Sequence, residues 1–168
     1  LPEGVTVLRD LVYARAPEKE LVLDLYLPAA GRAPLPLVIY VHGGAWGGGS
    51  KENPPAARLL RQGYAFASVG YRLAPVTWDV PPAPLGRAVF PAQIHDCKAA
   101  VRWLRAHATQ YGLAPNRFAA WGGSAGGHLV ALLGTSCGVP ELEGGLGEHR
   151  GQSSRVQAVV NFFGPTDF

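Results

Sequence analysis

Residues 117–133 read RFAAWGGSAGGHLVALL, and this stretch carries most of the information about the fold. Its first five residues form a short apolar run that predicts a strand, and its last seven are small and apolar, which predicts a helix buried against a sheet. Between them, residues 122–126 spell G-x-S-x-G. This pattern places a serine on a sharp strand-to-helix turn, where its hydroxyl is exposed. Ser124 is therefore the candidate nucleophile.

A second glycine-rich element lies upstream, where residues 42–46 read HGGAW. It directly follows residues 35–41, a nearly continuous apolar run that predicts a central strand covered on both faces. Two such elements in this order, each placed after a predicted buried strand, are a strong signal of a nucleophilic serine.

The rest of the chain alternates between strand and helix patterns. Strands are predicted over residues 5–13, 21–27, 35–41, 64–69, 117–121 and 156–162, and helices over residues 53–62, 90–108 and 125–133. A proline-rich loop (74–91) and a polar, glycine-rich loop (138–154) complete the chain. The order β-β-β-α-β-α-β-α-β predicts an α/β fold with a mostly parallel sheet and flanking helices.

Composition limits the classes of protein to which the chain can belong. The chain has 168 residues, of which 48% are apolar and 16% charged, so it forms one domain or part of one. Its net charge of +3 comes from scattered arginines, which argues against a nucleic-acid partner. No apolar run approaches the roughly 18 residues of a membrane span. Cys97 and Cys137 lack zinc-ligand spacing, and the glycine-rich loops lack dinucleotide or Walker patterns, so no metal or cofactor is implied. Cys97 is expected to be a buried free thiol.

These motifs resemble the α/β-hydrolase superfamily, and within it the esterases and lipases with a His-Gly-Gly loop, namely the BD-FAE-like and hormone-sensitive-lipase-like groups. The resemblance rests on residues 42–46, 71–75 (YRLAP), 122–128 and 163–168 (FGPTDF). It implies an α/β-hydrolase fold and a serine esterase that acts through an acyl-enzyme on Ser124. It also implies that the backbone amides of Gly43, Gly44 and Ala125 form the oxyanion hole.

Three aromatic side chains close to these motifs in the sequence allow two interpretations. Trp46, Tyr71 and Trp78 are expected either to form the wall of a substrate pocket or to serve only in packing. His42 is expected to brace the oxyanion loop. Asp96, on the long helix, is expected to pair with an arginine such as Arg72 rather than to take part in chemistry.

The resemblance also implies a general base and an acid that follow Ser124 in the chain. The histidine in this position of the motif, His128, is expected to be structural, and His149 is expected to be solvated. Asp167 fits a turn or capping role better than a catalytic one. Residues 1–168 are therefore predicted to be the N-terminal portion of a hydrolase domain, reaching about the sixth strand, with the catalytic acid and histidine and the C-terminal strands and helices beyond Phe168.

The leading interpretation is a carboxylic ester hydrolase for short acyl or acetyl esters, with carbohydrate esters as one substrate class and with no bound cofactor. A serine peptidase of the prolyl-oligopeptidase type shares the G-x-S-x-G-G pattern, but the HGGAW loop near Leu1 argues against it. A non-catalytic protein that lacks the triad acid and base is the third reading. Acyl esters assayed against aminoacyl amides separate the first two, and replacement of Ser124 tests the third.

Overall fold

The computed structural model describes residues 1–29, 31–74 and 89–167. Its elements in chain order are β1 (Thr6–Ala16), β2 (Lys19–Leu27), β3 (Leu35–Val41), α1 (Ala57–Arg61), β4 (Ala65–Val69), α2 (Ala92–Ala106), β5 (Leu113–Gly123), α3 (Ala125–Thr135), α4 (Pro140–Glu143) and β6 (Ala158–Phe162). The six predicted strands and three predicted helices all form. The short helix α4 is an addition to them.

The strands form one six-stranded sheet in the order β1-β2-β4-β3-β5-β6. The β1–β2 and β2–β4 pairs are antiparallel, whereas β4, β3, β5 and β6 run parallel to one another. Strand β3 lies between β4 and β5, which confirms its prediction as a central strand. The parallel strands end at the same edge of the sheet, and the two glycine-rich motifs follow β3 and β5 at that edge.

Side chains of the central strands alternate between two cores, because successive residues of a strand point to opposite faces. On one face Leu37, Ile39 and Val41 of β3 pack with residues of α2 and α3. On the other face Val38 packs with Leu60 of α1 in a smaller cluster. The continuous apolar run in β3 therefore follows from burial on both faces.

Two predicted boundaries need correction. The helix predicted from residue 53 begins only at Ala57, because Pro54 and Pro55 precede it in a tight turn where the Ala56 amide donates to the Pro54 carbonyl. The loop predicted over residues 138–154 contains α4, which begins with a proline at its first turn. The other predicted elements are displaced by a few residues at their ends. Among the described residues, no helix is both long and apolar enough to span a bilayer.

Candidate active site

Ser124 lies on a sharp turn between β5 and α3. Its backbone adopts φ 54° and ψ −126°, a conformation that non-glycine residues rarely take, and its side chain is exposed. The Ser124 amide donates a 2.9 Å hydrogen bond to the Phe162 carbonyl at the end of β6. The turn is therefore held from the neighbouring strand, with the hydroxyl free to face solvent.

Close backbone packing explains the glycines around this serine. A Cβ atom on Gly126 would lie 2.8 Å from the His42 carbonyl oxygen. A Cβ atom on Gly43 would lie 2.8 Å from the Gly123 carbonyl oxygen and 3.4 Å from the Ser124 Cβ. The loop after β3 thus touches the turn after β5 directly, and only glycine permits this approach.

The HGGAW loop contains three consecutive residues with positive φ: Gly44 at 113°, Ala45 at 49° and Trp46 at 58°. The Gly44 carbonyl accepts hydrogen bonds from the amides of Gly47 and Gly48, at 3.1 and 2.8 Å. Within the described part of the chain, no acceptor engages the amide of Gly44. A backbone N–H group without a protein acceptor is what a donor to a bound ligand requires.

Ala125 is the first residue of α3, and no described residue accepts a hydrogen bond from its amide either. Amides in the first turn of a helix lack intrahelical partners, and the helix dipole makes this end favourable for negative charge. The structure thus brings the three candidate oxyanion donors, on Gly43, Gly44 and Ala125, to the same edge of the sheet as Ser124.

His42 and Tyr71 stabilise this loop by hydrogen bonds to its backbone. The His42 ring is 5% exposed and stacks on the Tyr71 ring with 4.3 Å between centroids. His42 Nδ1–H donates to the Gly43 carbonyl at 2.8 Å, and the Tyr71 hydroxyl donates to the His42 carbonyl at 3.0 Å. Burial lowers the pKa of His42, which favours the neutral ring. His42 therefore has the bracing position expected for it.

Of the aromatic residues predicted to form a pocket wall or to pack, Trp46 lines a pocket and Tyr71 packs in the interior. An apolar cavity of about 400 Å³ lies beside the loop, and it is lined by Ala45, Trp46, Ala74, Val89, Phe90, Gln93, His128 and Leu129. Trp46 is part of this wall. Tyr71 is only 2% exposed and its hydroxyl is used by the loop, so we assign it to packing. Trp78 lies outside the described residues.

Among the described residues, no histidine ring hydrogen-bonds to the Ser124 hydroxyl. His128 Nδ1 accepts a 3.2 Å hydrogen bond from the Trp46 indole N–H. His95 Nε2 lies 2.9 Å from the Glu141 carbonyl, and the rings of His107 and His149 meet edge to face at 5.0 Å. His149 therefore has an aromatic neighbour, and we assign none of these rings as the base.

Two further expectations are confirmed nearby. Asp96 is completely buried and accepts hydrogen bonds from Arg72, including one of 2.8 Å from the guanidinium. Cys97 is 1% exposed and is a free thiol, and burial raises its pKa. Asp167 is exposed. Among the described residues, no group of three His, Cys, Asp or Glu side chains is arranged to hold a metal ion.

Sequence reasoning missed two features of the site. The first is the support from β6, where Asn161 Oδ1 accepts the Gly164 amide at 2.8 Å and both residues pack against Gly127. The second is the contact between Trp46 and His128. A signal for the second existed, since His128 lies one helical turn after Ser124 and Trp46 follows the candidate oxyanion glycines.

The sheet order, the strand-to-helix turn at Ser124 and the glycine loop beside it define an α/β-hydrolase fold. The BD-FAE family model matches residues 23–168, so the chain belongs to the BD-FAE family.

The relatives carry esterase names. The chain is 33% identical over 159 residues to the probable carboxylic ester hydrolase LipM of Mycobacterium tuberculosis, covering 93% of this chain and 33% of that protein. It is 37% identical to esterase LipC of the same organism, covering 80% of this chain and 31% of LipC. Among solved structures, a truncated carbohydrate esterase from gut microbiota matches with a TM-score of 0.83 and 32% identity, covering 96% of this chain and 57% of that one. The chain spans about a third of the length of these two curated relatives.

Proposed function

We propose that the protein is a serine carboxylic ester hydrolase with Ser124 as its nucleophile. The observation that carries the proposal is the strained, exposed turn at Ser124, against which Gly43 of the HGGAW loop packs directly. Strain of this kind persists only where surrounding structure holds it, and it is typical of catalytic turns. The esterase names of the relatives support the same reading.

The chemistry follows from the geometry. Ser124 Oγ attacks the ester carbonyl carbon and gives up its proton to a general base, while the carbonyl π electrons move onto oxygen. The amides of Gly43, Gly44 and Ala125 stabilise that negative oxygen, and each such donor is worth roughly 2.7–4 kcal/mol in the transition state. The tetrahedral intermediate collapses, the alcohol leaves with a proton from the base, and the acyl-enzyme remains. Water then hydrolyses it by the same route.

We further propose that the general base and its acid partner come from outside residues 1–168. His42 Nδ1 and His128 Nδ1 both face partners other than Ser124, at 2.8 and 3.2 Å. Among the described residues, neither ring hydrogen-bonds to the Ser124 hydroxyl, so we assign the serine proton to neither of them. Residues 1–168 then contribute the nucleophile, the oxyanion donors and part of the substrate pocket.

The proposed substrates are short acyl esters, with carbohydrate esters as one class. The cavity of about 400 Å³ beside Trp46 falls within the size range of small-ligand sites and is lined mainly by apolar groups, so we assign it to the acyl group. The name of the carbohydrate esterase relative supports testing acetylated polysaccharides.

The decisive experiment compares the full-length protein with its Ser124→Ala variant on p-nitrophenyl acetate and on acetylated xylan. We expect the variant to lose at least about a thousandfold in kcat, because the acyl-enzyme cannot form. Intact-mass measurement after rapid acid quench is expected to show the added acyl group on the wild-type protein only.

Ser153→Ala is the matched control. Ser153 is also an exposed loop serine, and its hydroxyl accepts the Arg155 amide at 3.1 Å. This variant is expected to retain wild-type activity. Equal activity of the Ser124→Ala and wild-type proteins would overturn the assignment of Ser124.

A further inference from the structure

His128 connects the nucleophile turn to the oxyanion loop through two separate hydrogen bonds. Its backbone amide donates to the Ser124 carbonyl at 3.1 Å. Its ring Nδ1 accepts the indole N–H of Trp46 at 3.2 Å, and the two rings meet edge to face with 5.4 Å between centroids. Trp46 lies 82 positions away in the sequence, so this contact joins the two catalytic motifs directly.

The loop needs such a connection because of its backbone conformation. Ala45 and Trp46 both have positive φ, at 49° and 58°. Non-glycine residues in this conformation are strained and persist only when their surroundings hold them. The Trp46 carbonyl is fixed by the Ala74 amide at 2.8 Å, and the Trp46 indole is fixed by His128.

The protonation state of His128 suits this contact. Nδ1 can accept the indole N–H only when it carries no proton, which requires the neutral tautomer with hydrogen on Nε2. Burial lowers the pKa of His128 and so favours the neutral ring at pH 7. An imidazolium would present an N–H group to the Trp46 N–H group and break the contact.

We propose that His128 is a positioning residue that holds the oxyanion loop over Ser124 through the Trp46 indole. This inference rests on the proposed function. It explains why an imidazole lies one turn beyond the nucleophile although, within the described residues, its ring makes no hydrogen bond to the serine hydroxyl. The benefit falls on the transition state, because only there does the oxyanion require the loop amides in place.

The test measures kcat and KM separately for the full-length wild-type protein and for Trp46→Phe, His128→Leu and the double variant on p-nitrophenyl acetate. Each single variant is expected to lose about tenfold in kcat with KM changed less than about threefold. The double variant is expected to lose about tenfold as well, because both substitutions remove the same contact. A loss of about a hundredfold would show independent roles and overturn the proposal.

His128→Asn provides the rescue. Its side-chain oxygen offers an acceptor close to the position of Nδ1 but cannot act as a general base at neutral pH, so it is expected to retain kcat within about threefold of wild type. Loss of activity in this variant as severe as in His128→Leu would overturn the positioning role. His107→Leu is the matched control, since His107 stacks on another indole, that of Trp103, after the end of α2. It is expected to leave kcat unchanged.

Hydrogen exchange separates this inference from the proposed function. The amides of Gly47 and Gly48 are hydrogen-bonded within the loop, so their exchange reports its order. Trp46→Phe and His128→Leu are expected to accelerate exchange over residues 43–48, and Ser124→Ala is not. If the wild-type protein proves to have no esterase activity but both variants still exchange faster than it does, the contact is upheld and the proposed function is rejected. Unchanged exchange with full kcat would reject the contact itself.

Discussion

Asp96 and Arg72 form a buried ion pair that anchors the segment in contact with the HGGAW loop. The Asp96 carboxylate is completely buried, and it accepts 2.8 Å hydrogen bonds from both the backbone amide and the guanidinium of Arg72. The segment that contains Arg72 also contributes the Tyr71 hydroxyl bond to His42 and the Ala74 amide bond to Trp46. The pair therefore anchors on α2 the segment on which the loop rests.

Asp96→Asn is expected to destabilise the protein by roughly 3–5 kcal/mol, because it leaves the Arg72 charge without its buried counter-charge. The loop support should loosen as well, so kcat on p-nitrophenyl acetate is expected to fall. Urea unfolding and steady-state kinetics of the full-length protein measure the two effects.

Glu18→Gln is the control for this pair. Glu18 lies 3.6 Å from the Arg72 guanidinium, but its side chain is 41% exposed, and exposed pairs contribute about 0–1 kcal/mol. A cost for Glu18→Gln equal to that of Asp96→Asn would show that general charge balance, and not the buried pair, holds the segment.

The sequence predicted every strand of the sheet and the elements that carry the site, because hydrophobic periodicity and turn glycines are local signals. It did not predict that β4 lies between β2 and β3, since strand order depends on how distant segments meet. The Trp46–His128 contact was missed for the same reason. A sequence pattern describes each residue by its own neighbours, whereas the roles of Trp46 and His128 depend on a partner 82 positions away.

The helix α4 shows a second limit of local patterns. Residues 138–154 are rich in glycine and polar groups, which predicts an irregular loop. The loop is nevertheless fixed at Glu143, whose carboxylate accepts hydrogen bonds from Lys98 and Arg102 of α2 at 2.9 and 3.0 Å. Two basic side chains on the buried face of α2 were the available signal that an acid must approach them.

The Glu143 cluster gives the protein a stability that depends on pH. Burial raises the pKa of Glu143, but hydrogen bonds from Lys98, from the Gly138 amide and from Ser154 lower it below its ordinary value. The folded state therefore favours the ionised form of Glu143 more than the unfolded state does. This stabilisation is present above the ordinary glutamate pKa of about 4.3 and is lost as the pH falls through the lower, folded value.

Glu143→Gln is accordingly expected to lower stability at pH 7 and to flatten the decline of stability below about pH 4.3. Urea midpoints of the full-length protein between neutral and acid pH measure this. Glu141→Gln is the matched control, because Glu141 is an exposed glutamate in the same helix and its described contact is made by its backbone carbonyl. If the stability of Glu143→Gln and of the wild type declined equally with falling pH, the Glu143 carboxylate would not be the source of that decline.

Gly43→Ala tests the approach of the loop to Ser124. The added Cβ would lie 2.8 Å from the Gly123 carbonyl oxygen, so the loop must move away from the turn. A displacement of this kind moves the amides that we propose as oxyanion donors, and kcat/KM is expected to fall by about 10²–10³. Gly48→Ala is the matched control, since its Cβ would meet the Gly44 carbonyl oxygen at an ordinary 3.5 Å. Comparable losses in both variants would mean that the whole loop tolerates no side chain, and the specific approach at Gly43 would be unsupported.

Ala74→Phe tests whether the apolar cavity receives the acyl group. Ala74 is part of the cavity wall, and its amide bond to Trp46 does not depend on its side chain. A phenyl ring there fills space that a longer acyl chain needs, so kcat/KM for p-nitrophenyl hexanoate is expected to fall at least about tenfold, with the acetate ester changed less than about threefold. Leu73→Phe is the control, because Leu73 lines a different cavity, together with Lys19 and Lys51. An equal effect of Ala74→Phe on both esters would exclude the cavity as the acyl site and leave the alcohol group as its occupant.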